Sequence, residues 1–310
     1  MTIYDVRLYG RKILEGASPT PELDTDCIVE HTLGCDRSYL LFHREVSLSD
    51  GQSDEIKAYL EMRKTGLPVA YITGSKEFFG YDFMVTPDVL IPKPDTELLV
   101  EKALENIEEK LSANPGRHIS LCDMCTGSGC VGLSIMLSAL ESGFFSKENI
   151  PSLIMADISD KALAVAQKNA DALCQIVPNA SMLRSHIRLV RSNLFEMVTG
   201  KFDIIVSNPP YIPAQEARCL LLDGRSEPIL ALDGDRDLCG NSTNDNDGLG
   251  IMRNLVPQAV THLSPLGVLI VEAGEYNAEM TEYLFRSAGL RNTRIWRDLS
   301  GQLRDISGVK

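Results

Sequence analysis

The chain has little that would place it in a membrane, on a nucleic acid or in an oxidising compartment. No apolar run approaches the roughly 20 residues of a spanning helix, and no basic-then-apolar leader opens the sequence, so a cytoplasmic protein is expected. Positive charge is scarce. Thirty Lys and Arg face 43 Asp and Glu, a net charge of −13. Strong direct binding to nucleic acid, which depends on cations neutralising phosphates, is not expected. The eight cysteines are scattered without a pairing framework, as suits free thiols in a reducing compartment. Cys122, Cys125 and Cys130 lack a second ligand cluster at zinc spacing, and Asp245-x-Asp247-Gly248 lacks the spacing and terminal Glu of a calcium loop. No metal is expected, and the three thiols read as small packing residues.

What is present is enough for a sizeable core, with 44% hydrophobic residues over 310 positions, a length suited to one large and one small domain. Residues 1–68 read as short helices. Pro21 sits at a first helical position behind Thr20, Gly34 is a stop, and a second stretch runs from Ser53 to Gly66. From Val69 the texture turns β-rich, through Tyr71-Ile72 and then Glu77 to Val85, with a hairpin turn at Gly80. Ile91-Pro92-Lys93-Pro94-Asp95-Thr96-Glu97 forms a rigid elbow, capped by Asp95 or Thr96, into a helix whose Val100, Ala103, Leu104, Ile107 and Leu111 share one face; taken alone, the elbow reads as structural.

After His118 strands alternate with helical stretches, the pattern of a parallel sheet with crossover helices. The strand Ile119–Met124 ends in Cys125-Thr126-Gly127-Ser128-Gly129, small residues that let backbone approach a ligand closely. The next strand ends in Asp157, whose carboxylate can accept from both ribose hydroxyls. A third, Ile187–Arg191, leads to Asn193 and Leu194, suited to the edge and face of an adenine. Together these tips describe a nucleoside pocket. A fourth strand, Ile204–Ser207, delivers Asn208-Pro209-Pro210-Tyr211 beside the first. Two prolines remove two N–H donors and fix φ, leaving the Asn208 side-chain oxygen and the carbonyls around Pro209 as acceptors next to a flat ring. Such a turn fits an amide or an exocyclic base amine. The polar stretch Asp233–Asp247 reads as a mobile surface loop, and Val268–Glu272, Thr293–Trp296 and Leu303 onward as further strands, the last two as an antiparallel edge pair.

These motifs, with Leu-Pro-x-x-Tyr-Ile-x-Gly at 67–74, Glu-Pro at 227–228, Ala-Leu-Asp-Gly at 231–234 and Asp-Gly-Leu at 247–249, resemble the HemK/PrmC family over nearly the whole chain. The resemblance implies a Rossmann-like class I methyltransferase domain, α/β with a seven-stranded, mostly parallel sheet, at 96–310. It implies a helical substrate-recognition domain at 1–68 and a β-hairpin linker at 69–95. It further implies transfer of a methyl group from S-adenosyl-L-methionine, leaving S-adenosyl-L-homocysteine, to the glutamine amide nitrogen in the Gly-Gly-Gln motif of class I peptide chain release factors, by a monomer. Cys125, Thr126, Gly127, Ser128, Gly129, Asp157, Asn193, Leu194 and Asn208 would hold the cofactor; Asn208, Pro209, Pro210 and Tyr211 would hold the substrate and serve catalysis. Four features depart from the family pattern: Cys125 in place of Gly, Lys93 in place of Arg, Asn277 in place of Gln, and the longer 233–247 segment. An adenine-N6 nucleic-acid methyltransferase, or a glutamine methyltransferase with another protein client, would use the same turn.

Overall fold

The computed structural model describes residues 1–145, 149–222, 227–243 and 245–310, which divide into two compact units. The first comprises Met1–Ser75, joined by the end of a later helix from Cys219 on. Its helices are α1 (Ile3–Ile13), α2 (Pro21–Leu33), α3 (Arg37–Phe42), α4 (Asp50–Lys64) and α5 (Val69–Thr73). Thr2 and Ser49 start α1 and α4 with reciprocal capping boxes. Pro21 opens α2 and Gly34, in the left-handed region, closes it, although the Thr20 hydroxyl makes no cap bond and instead meets Asp24. Tyr71-Ile72, expected as strand, lies in α5, because Pro68 at the N-cap and Gly74 at the C-cap define a single helical turn and a half. Ile3, Val6, Leu14, Ile28, Val29, Leu40, Ile56 and Leu60 form this unit's own core.

Two partly buried ion pairs brace that core. Arg7 grips Asp26 with two bonds of 2.6 and 2.8 Å, and Arg63 Nε lies 2.6 Å from Asp24 Oδ2.

The second unit begins at Lys76, inside a hairpin of β1 (Ser75–Phe78) and β2 (Tyr81–Met84) that turns through Phe79 and Gly80, both at positive φ, the geometry that matches strand twist. A 3₁₀ turn over Pro94–Thr96 then enters α6 (Glu97–Ala113). Thr96 occupies the cap position without capping; its hydroxyl points elsewhere, as shown below. There follow β3 (Ser120–Met124), α7 (Cys130–Glu141), β4 (Ser152–Asp157), α8 (Asp160–Ile176), β5 (Ile187–Arg191), β6 (Phe202–Ser207), α9 (Ala214–Leu222), α10 (Gly250–His262), β7 (Leu263–Glu272), α11 (Ala278–Ser287), β8 (Arg291–Arg297) and β9 (Leu303–Val309).

The strands form one sheet in the order β5-β4-β3-β6-β7-β9-β8, parallel except for β9, which runs antiparallel to both its neighbours. Alternation along the strands sorts the core into two layers. Leu121, Met155, Ile204, Val206 and Ile270 face α6, α7 and α8; Cys122, Met124, Ile205, Leu269 and Val271 face α10 and α11. Every residue of β6 is buried. The chain reverses direction of progress across the sheet between β3 and β6, so their carboxyl ends open a crevice there.

Candidate active site

That crevice is a cavity of about 460 Å³. Cys125, Thr126, Ser128, Asp157, Asn193, Leu194, Asn208 and Pro210 all border it, so the tips of β3, β4, β5 and β6 converge on one space. Gly127, Gly129, Pro209 and Tyr211 do not border it. Gly129 adopts φ +82° with Leu133, Ala166 and Met155 closing around it, so it serves helix packing. Gly127 donates its N–H to Asp157 Oδ2 at 2.9 Å.

Asp157 is therefore held from two sides, with Ser159 N–H on Oδ1 at 2.9 Å. Burial pushes its pKa above the ordinary carboxylate value, opposed by those N–H bonds, and each oxygen keeps a lone pair for a further donor. Beneath the glycine turn, Asp123 accepts Thr126 Oγ1 at 2.6 Å and Gly132 N–H at 3.0 Å. Burial raises its pKa to about 7. Asn169 on α8 ties this turn to the hairpin, donating to Ser128 O at 2.8 Å and exchanging bonds with the Met84 backbone.

Cys125 occupies φ +60°, the left-handed region where a glycine is unstrained. Its backbone keeps the shape a glycine would give, and its side chain adds bulk on the cavity wall. Burial drives the Cys122, Cys125 and Cys130 thiols upward, the last to about 12, which suits inert packing groups. Among the described residues no cluster of three or more His, Cys, Asp or Glu is placed to hold a metal ion, and no helix is long and apolar enough to cross a membrane.

The turn after β6 is anchored at several points. Asn208 Nδ2 donates to Thr96 Oγ1 at 3.1 Å, which directs Oδ1 away from that contact. Tyr211 gives its hydroxyl to Glu272 Oε1 at 2.9 Å, and its carbonyl accepts Asn277 Nδ2 at 3.0 Å and Tyr276 OH at 3.1 Å. Burial, followed by the neighbouring Glu272, holds the Tyr211 phenol in its protonated form. Gly248 passes so close that a Cβ there would lie 2.0 Å from Tyr211 O, which explains a glycine at that position. Asn277 reaches the turn directly, and Lys93 Nζ pairs with Glu227 Oε1 at 2.7 Å, a single contact for which a point charge suffices.

The 233–247 segment is not a surface loop along its whole length. Asp233 and Asp235 are buried. Asp235 accepts Ala214 N–H and Gly248 N–H, each at 2.8 Å, and Asp233 pairs with Arg236 Nε at 2.7 Å. The exposed middle then bends back to the cavity: Leu238 O accepts Asn193 Nδ2 at 2.6 Å, and Arg236, Asp237, Leu238 and Gly240 border the same space. Asn193 thus retains its side-chain oxygen as an acceptor. Sequence reasoning missed Thr96, Asp123, Lys93 and Leu238 as wall residues. The elbow motif signalled Thr96 and Lys93, but taken alone it read as structural.

Residues 5–74 match the PrmC N-terminal domain and residues 96–223 the methyltransferase small domain. Proteins named release factor glutamine methyltransferase align along nearly their full length. That of Haemophilus influenzae is 32% identical, covering 94% of this chain and 93% of its own. The Bordetella pertussis protein is 33% identical over 93% of this chain and 94% of its own, and that of Bradyrhizobium diazoefficiens 35% over 93% and 88%. Among solved structures, the hMettl16 catalytic domain shares the fold at a TM-score of 0.51 and 15% identity, covering 86% of this chain and 84% of that one. A third of positions identical over more than nine tenths of the chain places it plainly: it belongs to the release factor glutamine methyltransferase family.

Proposed function

We propose that the chain transfers a methyl group from S-adenosyl-L-methionine to the side-chain amide nitrogen of the Gly-Gly-Gln glutamine in peptide chain release factors. The observation that carries this reading is the Asn208 amide at the rim of the cavity, its donor end spent on Thr96 and its acceptor end free. The cavity suits the cofactor: Asp157 offers a carboxylate with spare lone pairs for ribose, Asn193 an oxygen and Leu194 an apolar side for adenine, and Cys125, Thr126 and Ser128 a close wall. When bound, the cofactor supplies an electrophilic methyl group on a sulfonium.

The residues of the turn then have a defined task. An amide nitrogen is a poor nucleophile because its lone pair is delocalised into the carbonyl. Asn208 Oδ1 and the Pro209 carbonyl accept its two N–H bonds and fix its direction, and the Tyr211 ring packs beside it. No strong base is needed before attack, since the proton leaves afterwards. Catalysis rests on alignment and on preorganised acceptors. The N-terminal helical unit holds the release factor. The acidic charge disfavours a nucleic-acid client, although the turn itself would accept adenine.

The test offers methyl-labelled cofactor to purified release factor, to its Gly-Gly-Gln variant with alanine for glutamine, and to DNA. Label is expected on the first alone, and Asn208→Ala is expected to abolish it, with a much smaller loss of cofactor affinity by calorimetry than of methyl transfer. Label on DNA alone would overturn the reading.

A further inference from the structure

Beyond β7 the chain carries a surface for which the cavity has no use. Gly274-Glu275-Tyr276-Asn277 leads into α11, whose buried face is made by Ala278, Thr281 and Phe285. The solvent face of such a helix ordinarily carries polar side chains. Here Tyr276, Met280 and Tyr283, at i, i+4 and i+7, fall in one row and are 58%, 50% and 63% exposed. The row is about 10 Å long.

Tyr276 ties this row to the acceptor turn. Its hydroxyl donates to Tyr211 O at 3.1 Å, beside the bond from Asn277 Nδ2 to the same carbonyl. Its ring lies against Gly274, where a Cβ would come within 2.9 Å of two ring carbons. The ring is therefore held from one side and open to solvent on the rest. A tyrosine fixed in this way offers contact area at little entropic cost on binding.

We infer that Tyr276, Met280 and Tyr283 are a docking surface on the sheet unit for the release factor domain that presents the substrate glutamine, and that they receive apolar side chains flanking its loop. The inference rests on the reading of the turn as the acceptor of a protein glutamine amide. A glutamine side chain is short, so one that meets Asn208 and the Pro209 carbonyl brings the backbone of its loop to the rim, where the row begins. Charge selects the class of partner. Glu275 and Glu279 are exposed beside the row, and Arg286 at its far end is paired with Glu282 at 2.6 Å. A phosphate backbone laid along that margin would be repelled. An apolar centre with an acidic edge fits a protein surface that is apolar in the middle and carries Lys or Arg around it.

The test measures binding of release factor to the full chain with S-adenosyl-L-homocysteine present, and methyl transfer with labelled cofactor. A double variant, Met280→Ser with Tyr283→Ser, changes two exposed positions outside the turn. It is expected to raise both Kd and KM for release factor at least about tenfold, with kcat and cofactor affinity within about twofold. Ile176→Ser, at a 76% exposed apolar position closing α8, is the control and is expected to change neither. Glu275→Gln with Glu279→Gln is expected to raise the same Kd about three- to tenfold at low salt, the difference shrinking as salt is added. An unchanged Kd in either double variant, an equal loss in Ile176→Ser, or a loss confined to kcat would overturn the proposal. So would binding of DNA, in place of release factor, that the Met280 and Tyr283 substitutions weaken. If the unsubstituted chain binds release factor and leaves its glutamine unlabelled, the reading of the turn fails, and the Kd comparison still decides the docking surface.

Discussion

Asp123 sits 1% exposed under the Thr126–Gly129 turn, and both its hydrogen bonds fall on the same oxygen, Oδ2. That pattern suits a neutral carboxyl, and burial has moved its pKa to about 7. An unfolded aspartate titrates near 4, so between about pH 4 and 7 the folded chain binds the extra proton, and the contribution of this group to stability falls as pH rises through that window. Asp123→Asn keeps an oxygen for both donors and removes the ionisation. Relative to the unsubstituted chain, its stability advantage is expected to grow from near zero at pH 4 to on the order of 4 kcal/mol by pH 8. Urea unfolding of both chains across that range measures the difference. A pH-independent gap would mean that Asp123 does not hold its proton. The same residue shows how a local motif hides its chemistry: Asp123 is plain in the sequence as the end of a strand, but its burial depends on α7 and on Gly132, nine positions on.

At the scale of elements, each strand that ends at the crevice was legible because its tip is a local pattern. Runs of β-branched and apolar residues stop at Asp157, at Asn193-Leu194 and at Asn208, and parallel strands must deliver such tips to one edge of the sheet. What local patterns could not give are partnerships between distant segments. Thr96 and Asn208 are 112 positions apart in the sequence, and nothing around either names the other. The short α5 was misread because five residues between Pro68 and Gly74 carry no helical period, and Tyr71-Ile72 favour strands. The 233–247 segment was misread because Asp, Asn and Gly look solvated, while Asp233 and Asp235 are buried under backbone N–H groups. Its bend makes Leu238 a wall of the cavity, held by Asn193 and 43% exposed without a ligand. Leu238→Ala is expected to raise the Kd for S-adenosyl-L-methionine about three- to tenfold, from about 1 kcal/mol of lost apolar contact, with kcat unchanged. Unaltered affinity in calorimetry would remove Leu238 from the wall.

For the molecule as a whole, the two units differ in what holds them. The sheet unit has two apolar layers. The N-terminal unit has a smaller core and seats Asp26, 1% exposed, against Arg7 with two bonds. Removing Asp26 leaves the partly buried Arg7 guanidinium without its two charge-assisted bonds, at a cost of about 1–3 kcal/mol. Asp26→Ala is therefore expected to open the first 75 residues to protease at temperatures where the unsubstituted chain resists. Cofactor affinity should stay within about twofold, because every wall residue of the cavity belongs to the other unit. Methyl transfer to release factor should fall steeply if the helical unit holds that partner, with the loss in KM before kcat. Digestion, calorimetry and steady-state kinetics on one preparation separate the possibilities. Undiminished protease resistance would show that the pair does not brace the unit. A looser unit with unchanged KM would take the release factor off this domain and assign its recognition to the sheet unit alone.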